Sequence, residues 1–162
     1  MKMSQAGPAE VRMASHSDLD VLVKFSAAMA METEGRRLDQ DRLRRGVLAV
    51  LDSSAHGFYV VSERHDADAR AVVGQLLVTY EWSDWRCANF WWIQSVYVDP
   101  AWRRRGVYRQ LYGSVLDAAK GRTDVCGLRL YVEQDNHVAQ SVYRHLELRP
   151  TSYHIWEVDF VL

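Results

Sequence analysis

The sequence has few cysteines, few prolines and no long apolar run, and its charges nearly cancel. Of 162 residues, two are cysteine and three are proline. The cysteines, Cys87 and Cys126, are too few for a disulfide framework and fit a protein of the reducing cytoplasm. The N-terminal residues lack the apolar core of a signal peptide, so we expect a cytoplasmic location.

Two further absences exclude broad classes of partner. No apolar segment approaches the roughly 20 residues that cross a membrane, so we expect a soluble protein without a membrane partner. The 20 basic and 21 acidic side chains leave a formal net charge of -1. The protein as a whole therefore has no electrostatic attraction to nucleic acid, and any anion site must be local.

The apolar content is that of a folded protein. Hydrophobic residues make up 48% of the chain, which at this length can bury one substantial core. We find no repeat, linker or low-complexity stretch. The prediction is one domain spanning residues 1–162.

The first part of the chain predicts a strand, two helices and three more strands. Residues 9–14 alternate as a short strand, and a capping box at residues 15–18 begins a helix through about Met31. A second helix is predicted at residues 39–51. The β-rich runs that follow predict an antiparallel meander, at residues 58–62, 71–81 and 90–98.

The rest of the chain predicts helices and strands in alternation. A helix follows the arginine run and ends at Gly121, and a strand is predicted at residues 128–133. Residues 138–146 predict another helix, and the alternating tail at 153–162 predicts closing strands. The fold class is α+β with a mixed sheet, because the short crossover after the meander favours parallel pairing.

One segment combines a strand, an arginine-rich loop with a glycine, and a helix. Unpaired backbone N–H groups and the positive helix end converge there, which is typical of a phosphate site. Gly106 allows close approach of the backbone, and arginines supply fixed charge. The alternative is a solvated basic turn. The candidate residues are Arg103, Arg104, Arg105, Gly106, Val107 and Tyr108.

Residues 98–107, Val-Asp-Pro-Ala-Trp-Arg-Arg-Arg-Gly-Val, resemble the acyl-CoA loop of the GNAT acetyltransferases. That loop reads Gln/Arg-x-x-Gly-x-Gly/Ala, and Arg103 and Gly106 fill its first and fourth positions. Tyr108 departs from the pattern at the last position, where only an outward-pointing side chain leaves the cofactor path open. Residues 130–143 resemble a second family segment, with Asn136 and Tyr143 seven residues apart as the family has them.

The resemblance implies the GNAT fold. Its sheet is mixed and mostly antiparallel, with six to seven strands, about four helices and a splay between strands 4 and 5. In the family the pantetheine arm of acetyl-CoA enters that splay, so the resemblance assigns Val96, Tyr97 and Val98 to cofactor contact. The pyrophosphate is expected on the amides of residues 104–109, up to Arg109, and Asn136 is expected to hold the pantetheine amide. No metal is implied.

The resemblance also implies the chemistry. The activity is transfer of an acetyl group to an amine, with Tyr143 as the acid that protonates the leaving thiolate. The alternative for Tyr143 is a packed core tyrosine. The glutamate base of some relatives is replaced by Gln94, so the candidates for proton acceptor are Glu133, Glu32 and Glu34, of which Glu34 and Glu133 are favoured. The alternative for each is solvated surface.

The acceptor side is predicted from an aromatic hairpin. It resembles the diamine acetyltransferase branch, and Trp82 and Trp85 are expected to line the acceptor pocket, where an aromatic face can hold an ammonium group. Glu32 and Gln94 complete the predicted acceptor contacts. The acidic residues that this branch places before its cofactor strand are missing, which disfavours a polyamine.

Two other functions compete with this interpretation. A silent family member would bind acyl-CoA as a regulatory module without turnover. A nucleic-acid module would use the arginine run with nearby aromatic rings, but the balanced charge disfavours it. The sequence leaves open whether the acceptor is a small amine, an amino acid, an aminoglycoside or a peptide amine. It also leaves open the acyl chain and the homodimer that is common in relatives.

Overall fold

The computed structural model describes residues 9–66 and 69–161. In that part of the chain, five strands and four α-helices follow one another as β1 (Ala9–Met13), α1 (Leu19–Glu34), α2 (Gln40–Asp52), β2 (Phe58–Asp66), β3 (Ala69–Ser83), β4 (Ala88–Val98), α3 (Val107–Lys120), β5 (Val125–Arg129) and α4 (His137–His145). Short 3-10 turns precede α1 and follow β4. The α+β class and the number of helices are confirmed.

Local capping explains where the first two helices begin and end. The predicted capping box is present, and the amide of Ser15 donates to Asp18 Oδ2 at 2.8 Å. Asp39 caps α2 by accepting from the amide of Arg42 at 2.8 Å. Gly35 ends α1 with φ 62°, a left-handed conformation that glycine adopts without a steric penalty.

The five strands form one mixed sheet in the order β1-β2-β3-β4-β5. Neighbours are antiparallel as far as β4, and β5 runs parallel to β4. The parallel pair is joined by α3, because strands that point the same way need a long crossover. The meander and the parallel crossover agree with the prediction.

Helices cover both faces of this sheet. On one face the core contains residues of α1, α2 and β2, namely Leu22, Val23, Val47, Tyr59 and Val61. On the other face α3 lies so close to β3 that a Cβ added at Gly74 would be 2.9 Å from Cγ1 of Val107. Glycine at that position therefore lets the helix reach the sheet.

The sheet opens between β4 and β5. β5 pairs with β4 only from Asn89 to Trp92, while β4 continues to Val98. Within the described residues, no strand pairs with this side of β4 beyond Trp92. The structure thus has the splay between strands 4 and 5 that the resemblance implies.

A β-bulge lies in β4 beside the splay. Leu77 of β3 is opposite Ser95, but Val78 is opposite Ile93, so Gln94 is the extra residue. A bulge bends its strand and re-aims the inserted side chain. The bulge places Gln94 next to the point where β4 and β5 part.

The predictions for the strands near the C-terminus need correction. The fifth strand is Val125–Arg129 rather than 128–133, because its pairing with β4 begins at Val125. In residues 146–161 no strand is present, so the described sheet has five strands and not six to seven. Alternating side chains favour a strand only where a neighbouring strand supplies hydrogen bonds. Leu162 lies outside the described residues.

The chain separates into two compact units, Met1–Leu130 and Tyr131–Leu162. The first holds the sheet with its three helices, and the second holds α4 and the tail. The single domain over residues 1–162 stays a prediction. None of the helices in the described residues has the length and apolar character needed to cross a membrane.

Candidate active site

The loop after β4 leads into the first turn of α3, whose amides are outside the helix's own hydrogen-bond ladder. The first hydrogen bond of α3 runs from the amide of Gln110 to the carbonyl of Gly106 at 3.0 Å. The amides of Val107, Tyr108 and Arg109 therefore have no acceptor within their own helix. These N–H groups and the positive end of the helix dipole together form the kind of site that binds phosphate.

The backbone of the arginine loop, residues 103–106, is left-handed at two positions. Gly106 has φ 82° and Arg104 has φ 60°. This conformation costs a non-glycine residue roughly 1–3 kcal/mol, and such residues cluster at ligand sites. The glycine that the sequence analysis selected is therefore required by the turn into α3.

The side chain of Arg103 is held by protein groups. Its Nε donates to the carbonyl of Val98 at 3.0 Å, and its Nη2 donates to Glu32 Oε2 at 2.6 Å. Its guanidinium carbon lies 5.4 Å from the centre of the Tyr97 ring. Arg103 thus connects the end of α1 to the end of β4.

Glu32 and Tyr97 complete this contact. The Tyr97 hydroxyl donates to Glu32 Oε1 at 2.8 Å. The hydrogen bonds from Arg103 and then from Tyr97 hold the pKa of Glu32 below its usual value. Burial, followed by the hydrogen bond to Glu32, raises the pKa of Tyr97. Glu32 is therefore ionised and paired at neutral pH, which makes it a poor proton acceptor.

The remaining loop side chains lie around Trp102 and along α3. The guanidinium carbon of Arg105 lies 4.6 Å from the Trp102 ring centre, and that of Arg64 lies 4.2 Å from it. The ring of Tyr108 stacks on Tyr112 one helical turn further along, with centroids 6.2 Å apart. The Tyr108 side chain thus lies against the flank of α3, and its amide stays in the first turn.

The edge of β4 beside the splay contains Val96, Tyr97 and Val98. On one side these residues pair with Leu76, Gln75 and Gly74 of β3. Their main-chain groups on the other side have no strand partner among the described residues. A strand edge without a neighbouring strand can form main-chain hydrogen bonds with an extended ligand. At its end the carbonyl of Val98 already accepts from Arg103.

Gln94 lies on the same face of the sheet as a group of charged and aromatic side chains. Thr79 Oγ1 donates to Gln94 Oε1 at 3.1 Å. Two residues further along β3, Glu81 accepts from Nε1 of Trp92 and, at 2.6 Å, from Nη1 of Arg129. Because Trp92 is opposite Thr79, all of these side chains share one face.

The ring of Phe90 joins this group. The guanidinium carbon of Arg129 lies 3.7 Å from the ring centre, and that of Arg86 lies 4.9 Å from it. We call Glu81, Arg86, Phe90, Trp92 and Arg129 the Phe90 cluster. Sequence reasoning did not select Glu81 or Arg129. The alternation of β3 contained a signal for Glu81, a carboxylate between two aromatic residues, but Arg129 required the register of β5.

The predicted acceptor residues are not brought together. Trp82 and Trp85 are 61% and 86% exposed. Trp82 is opposite Asn89 and alternates with Glu81, so it lies on the other face of the sheet from the Phe90 cluster. Glu34 is exposed at the end of α1, with Oε2 3.9 Å from Nε of Arg36. The roles predicted for these residues stay predictions.

The second unit contains the other predicted residues. Asn136 caps α4, with Oδ1 accepting from the amide of Ala139 at 3.0 Å. Glu133 is exposed, and its carbonyl accepts from the amide of Asn136 at 3.1 Å. Tyr143 lies on α4, half-buried, seven residues after the cap. Asn136 and Tyr143 are thus two turns apart on one helix.

No group of three or more metal-binding side chains occurs among the residues that the structure describes. Nothing in the site geometry above depends on a metal.

Solved structures with the same fold include several acetyltransferases. A "possible acetyltransferase" from Clostridium difficile 630 is 40% identical, with 96% of this chain and 100% of that one covered and a TM-score of 0.87. The aminoglycoside N-acetyltransferase AAC(6')-Iy in complex with CoA is 14% identical, with 98% and 99% covered and a TM-score of 0.76.

A third structure is an aminoglycoside acetyltransferase from an uncultured soil metagenomic sample, in complex with sisomicin. It is 13% identical, with 94% of this chain and 97% of that one covered and a TM-score of 0.72. At these low identities the two aminoglycoside enzymes share the fold with this chain. A search of curated proteins found no match.

The profile of the "Acetyltransferase (GNAT) family" matches residues 25–147, which is well over half of the chain. The match includes the arginine loop, the splayed strands and α4. The chain belongs to the GNAT acetyltransferase family.

Proposed function

We propose that this protein is an N-acetyltransferase that moves an acetyl group from acetyl-CoA to a primary amine. The observation that carries the proposal is the continuous run from β4 to α3. Its edge at residues 96–98, which has no strand partner on the side of the splay, leads directly into the first-turn amides of α3. The first feature suits the amides of an extended arm, and the second suits a diphosphate.

Donor binding begins at the pyrophosphate. The amides of residues 104–109 hold its oxygens, and Arg104, Arg105 and Arg109 supply positive charge. Arg103 is already engaged by Glu32, so its contribution to phosphate binding is smaller than the family pattern implies. The CoA in the AAC(6')-Iy structure, which has the same fold, supports this donor.

The pantetheine arm then lies in the splay. Main-chain groups of Val96, Tyr97 and Val98 bond its amides as a further strand would. Asn136 uses Oδ1 to cap α4, so the side-chain amide that reaches the arm is Nδ2. This arrangement brings the thioester to the point where β4 and β5 part.

The transfer is a direct attack. The amine nitrogen forms a bond to the thioester carbonyl carbon, the carbon–sulfur bond breaks, and CoA leaves as a thiolate. Tyr143 donates its phenolic proton to that sulfur, since a tyrosine hydroxyl can hydrogen-bond a thiolate and act as a general acid. The amine proton passes to Glu34 or Glu133, directly or through water. Glu32 is unsuited because its pKa is lowered.

The acceptor is a small-molecule or peptide amine. Gln94 at the bulge faces the site of attack, with Glu32, Trp82 and Trp85 as the further predicted contacts. The aminoglycoside acetyltransferases of the same fold support an amine acceptor. A cytoplasmic location and a homodimer stay predictions.

A catalytically silent acyl-CoA-binding module is the second candidate function. It is favoured by Gln94, because an amide at the bulge cannot accept the amine proton. It predicts donor binding without turnover. A nucleic-acid-binding module is the third and least favoured candidate.

Thermal unfolding with and without acetyl-CoA separates these candidates. A ligand at a hundred times its dissociation constant stabilises by about 2.7 kcal/mol, or about 5 to 10 °C for a chain of this length. ATP and a short oligonucleotide are the controls. A shift with acetyl-CoA alone, followed by amine-dependent release of free thiol, supports the enzyme. No shift with acetyl-CoA contradicts donor binding.

A further inference from the structure

The Phe90 cluster lies at the mouth of the splay. Arg129 is the last residue of β5 and pairs with Trp92, the last residue of β4 that has a partner in β5. Partners in a β-ladder project from the same face of the sheet. The backbone of Arg129 therefore lies where the strands part. Its guanidinium reaches back along the sheet to Glu81 and Phe90, on the face that also contains Gln94.

Both oxygens of Glu81 are occupied within the cluster. Oε1 accepts from Arg129 at 2.6 Å, and Oε2 accepts from the indole Nε1 of Trp92. The ion pair with Arg129 balances the negative charge of Glu81, which disfavours this carboxylate as the partner of a ligand's ammonium group. The side chain at the bulge is Gln94, which is neutral.

The guanidinium groups outnumber the carboxylate. Arg129 and Arg86 both lie over the ring of Phe90, at 3.7 Å and 4.9 Å from its centre. Arginine stays protonated at any physiological pH. The cluster therefore carries two positive charges against the single negative charge of Glu81. Arg129 is about a third exposed, so part of its planar fork faces solvent.

We propose that the Phe90 cluster selects acceptors that carry a carboxylate beside their primary amine, the chemistry of amino acids. The inference rests on the proposed function, which brings the amine to the splay. An arginine fork binds a carboxylate through two parallel hydrogen bonds, and stacking on Phe90 holds the fork in place. A single carboxylate matches the one excess charge of the cluster, whereas a phosphate dianion exceeds it.

The proposal separates this chain from the aminoglycoside acetyltransferases of the same fold. A polycationic acceptor needs unpaired carboxylates, and at this mouth the carboxylate of Glu81 is paired and outnumbered. Aminoglycosides and polyamines are therefore poor acceptors here.

The test compares each amino acid with its carboxamide, which keeps the side chain and the α-amine. The carboxamide's amine is less basic and therefore less protonated, so any preference for the carboxylate must come from recognition. We expect kcat/KM for the best amino acid to exceed that of its carboxamide at least tenfold. Equal rates, or a preference for the carboxamide, would overturn the proposal.

Three substitutions are expected to change the preference for the amino acid over its carboxamide in different directions. Arg129→Gln reduces this preference to within about twofold. Arg86→Gln reduces it less, because the pair of Glu81 and Arg129 stays intact. Glu81→Gln increases the preference, because the amide oxygen still accepts from Trp92 while a negative charge is removed. Arg122→Gln is the control, since Arg122 pairs with Asp124 at 2.6 Å outside the cluster. If the preference for the amino acid persists in both arginine variants, the Phe90 cluster does not recognise the carboxylate.

Binding is measured separately by saturation-transfer NMR, with the same amino acids and carboxamides in the presence of CoA. Amino-acid binding that weakens at least tenfold in Arg129→Gln supports the cluster even without turnover. If CoA does not bind but amino acids bind through Arg129, the proposed acetyltransferase function is wrong, and carboxylate binding by the Phe90 cluster is still supported. If wild-type protein binds neither set, or both equally, the cluster assignment fails.

Discussion

The arginine loop and the Phe90 cluster are both arginine-rich, but they are built in different ways. The proposed anion site of the loop consists of consecutive backbone amides, held in place by a left-handed Gly106 and the start of α3. The cluster consists of side chains from β3, β4, β5 and the turn between β3 and β4. A backbone site follows from local sequence, whereas a side-chain site depends on strand register.

Arg103 and Arg129 illustrate the same difference within one residue type. Each donates to a carboxylate at 2.6 Å, and each lies over an aromatic ring. Arg103 stands in the loop motif, yet its partner is Glu32 of α1. Arg129 belongs to no motif, yet it lies at the splay. Membership in the motif therefore did not predict which arginine lies at the splay.

The largest expected effect separates donor binding from chemistry. Tyr143→Phe removes the proposed acid, and loss of a general acid lowers kcat by about 10²- to 10⁴-fold. Acetyl-CoA affinity, measured by calorimetry, should change little because the loop amides are intact. Tyr153→Phe, in the exposed tail, is the matched control. Unchanged kcat in Tyr143→Phe would assign the proton to another group.

A smaller effect, on acetyl-CoA affinity, is expected when the backbone conformation of the arginine loop is changed. Gly106→Val places an L side chain at φ 82°, which costs roughly 1–2 kcal/mol. The loop relaxes away from that conformation, and the free energy needed to restore it should weaken acetyl-CoA binding about 5- to 30-fold. The control is Gly113→Ala, where an added Cβ meets nothing within 4 Å.

If Gly106→Val binds acetyl-CoA as tightly as wild type, the amides at the start of α3 are not the phosphate site. The loop would then resemble the Phe90 cluster, because its arginine side chains, and not its backbone amides, would have to supply the affinity for phosphate. Calorimetric dissociation constants of the two glycine variants decide this directly.

The smallest effect concerns the contact that holds Arg103. Glu32→Gln removes a half-exposed ion pair, for which about 0.5–1 kcal/mol is expected, or about 1 to 4 °C in Tm. Since the pKa of Glu32 is lowered in the folded state, its contribution is full above the unfolded pKa near 4.3. It is lost as the pH falls through the folded pKa.

The free energies of unfolding of wild type and Glu32→Gln should therefore differ at pH 7 and converge in acid. Glu34→Gln is the control, because Glu34 is exposed and lies 3.9 Å from its nearest cation. A difference that is independent of pH would mean that Glu32 stabilises the fold through packing and not through its charge. Urea unfolding at a series of pH values provides the measurement.

The sequence predicted much of the fold because local physics determines it. The capping box at Ser15 and Asp18, the cap at Asp39 and the turn at Gly106 each depend on residues within one helical turn. The tail at 153–162 shows the limit of this reasoning. Its alternation predicted strands, but a strand also requires a partner, and none is paired with the described part of the tail.

The order of the elements as far as α4, the motif of the arginine loop and the family that this motif resembles can all be predicted from the sequence alone. Tertiary structure alone decided which side chains meet. Glu32 and Arg103 are 71 residues apart in the chain, and Glu81 and Arg129 are 48 apart. The bulge at Gln94 and the register of β5 determine which side chains come into contact. The register of a strand depends on the packing of the whole sheet face, because a shift by one residue turns every side chain of the strand to the other face.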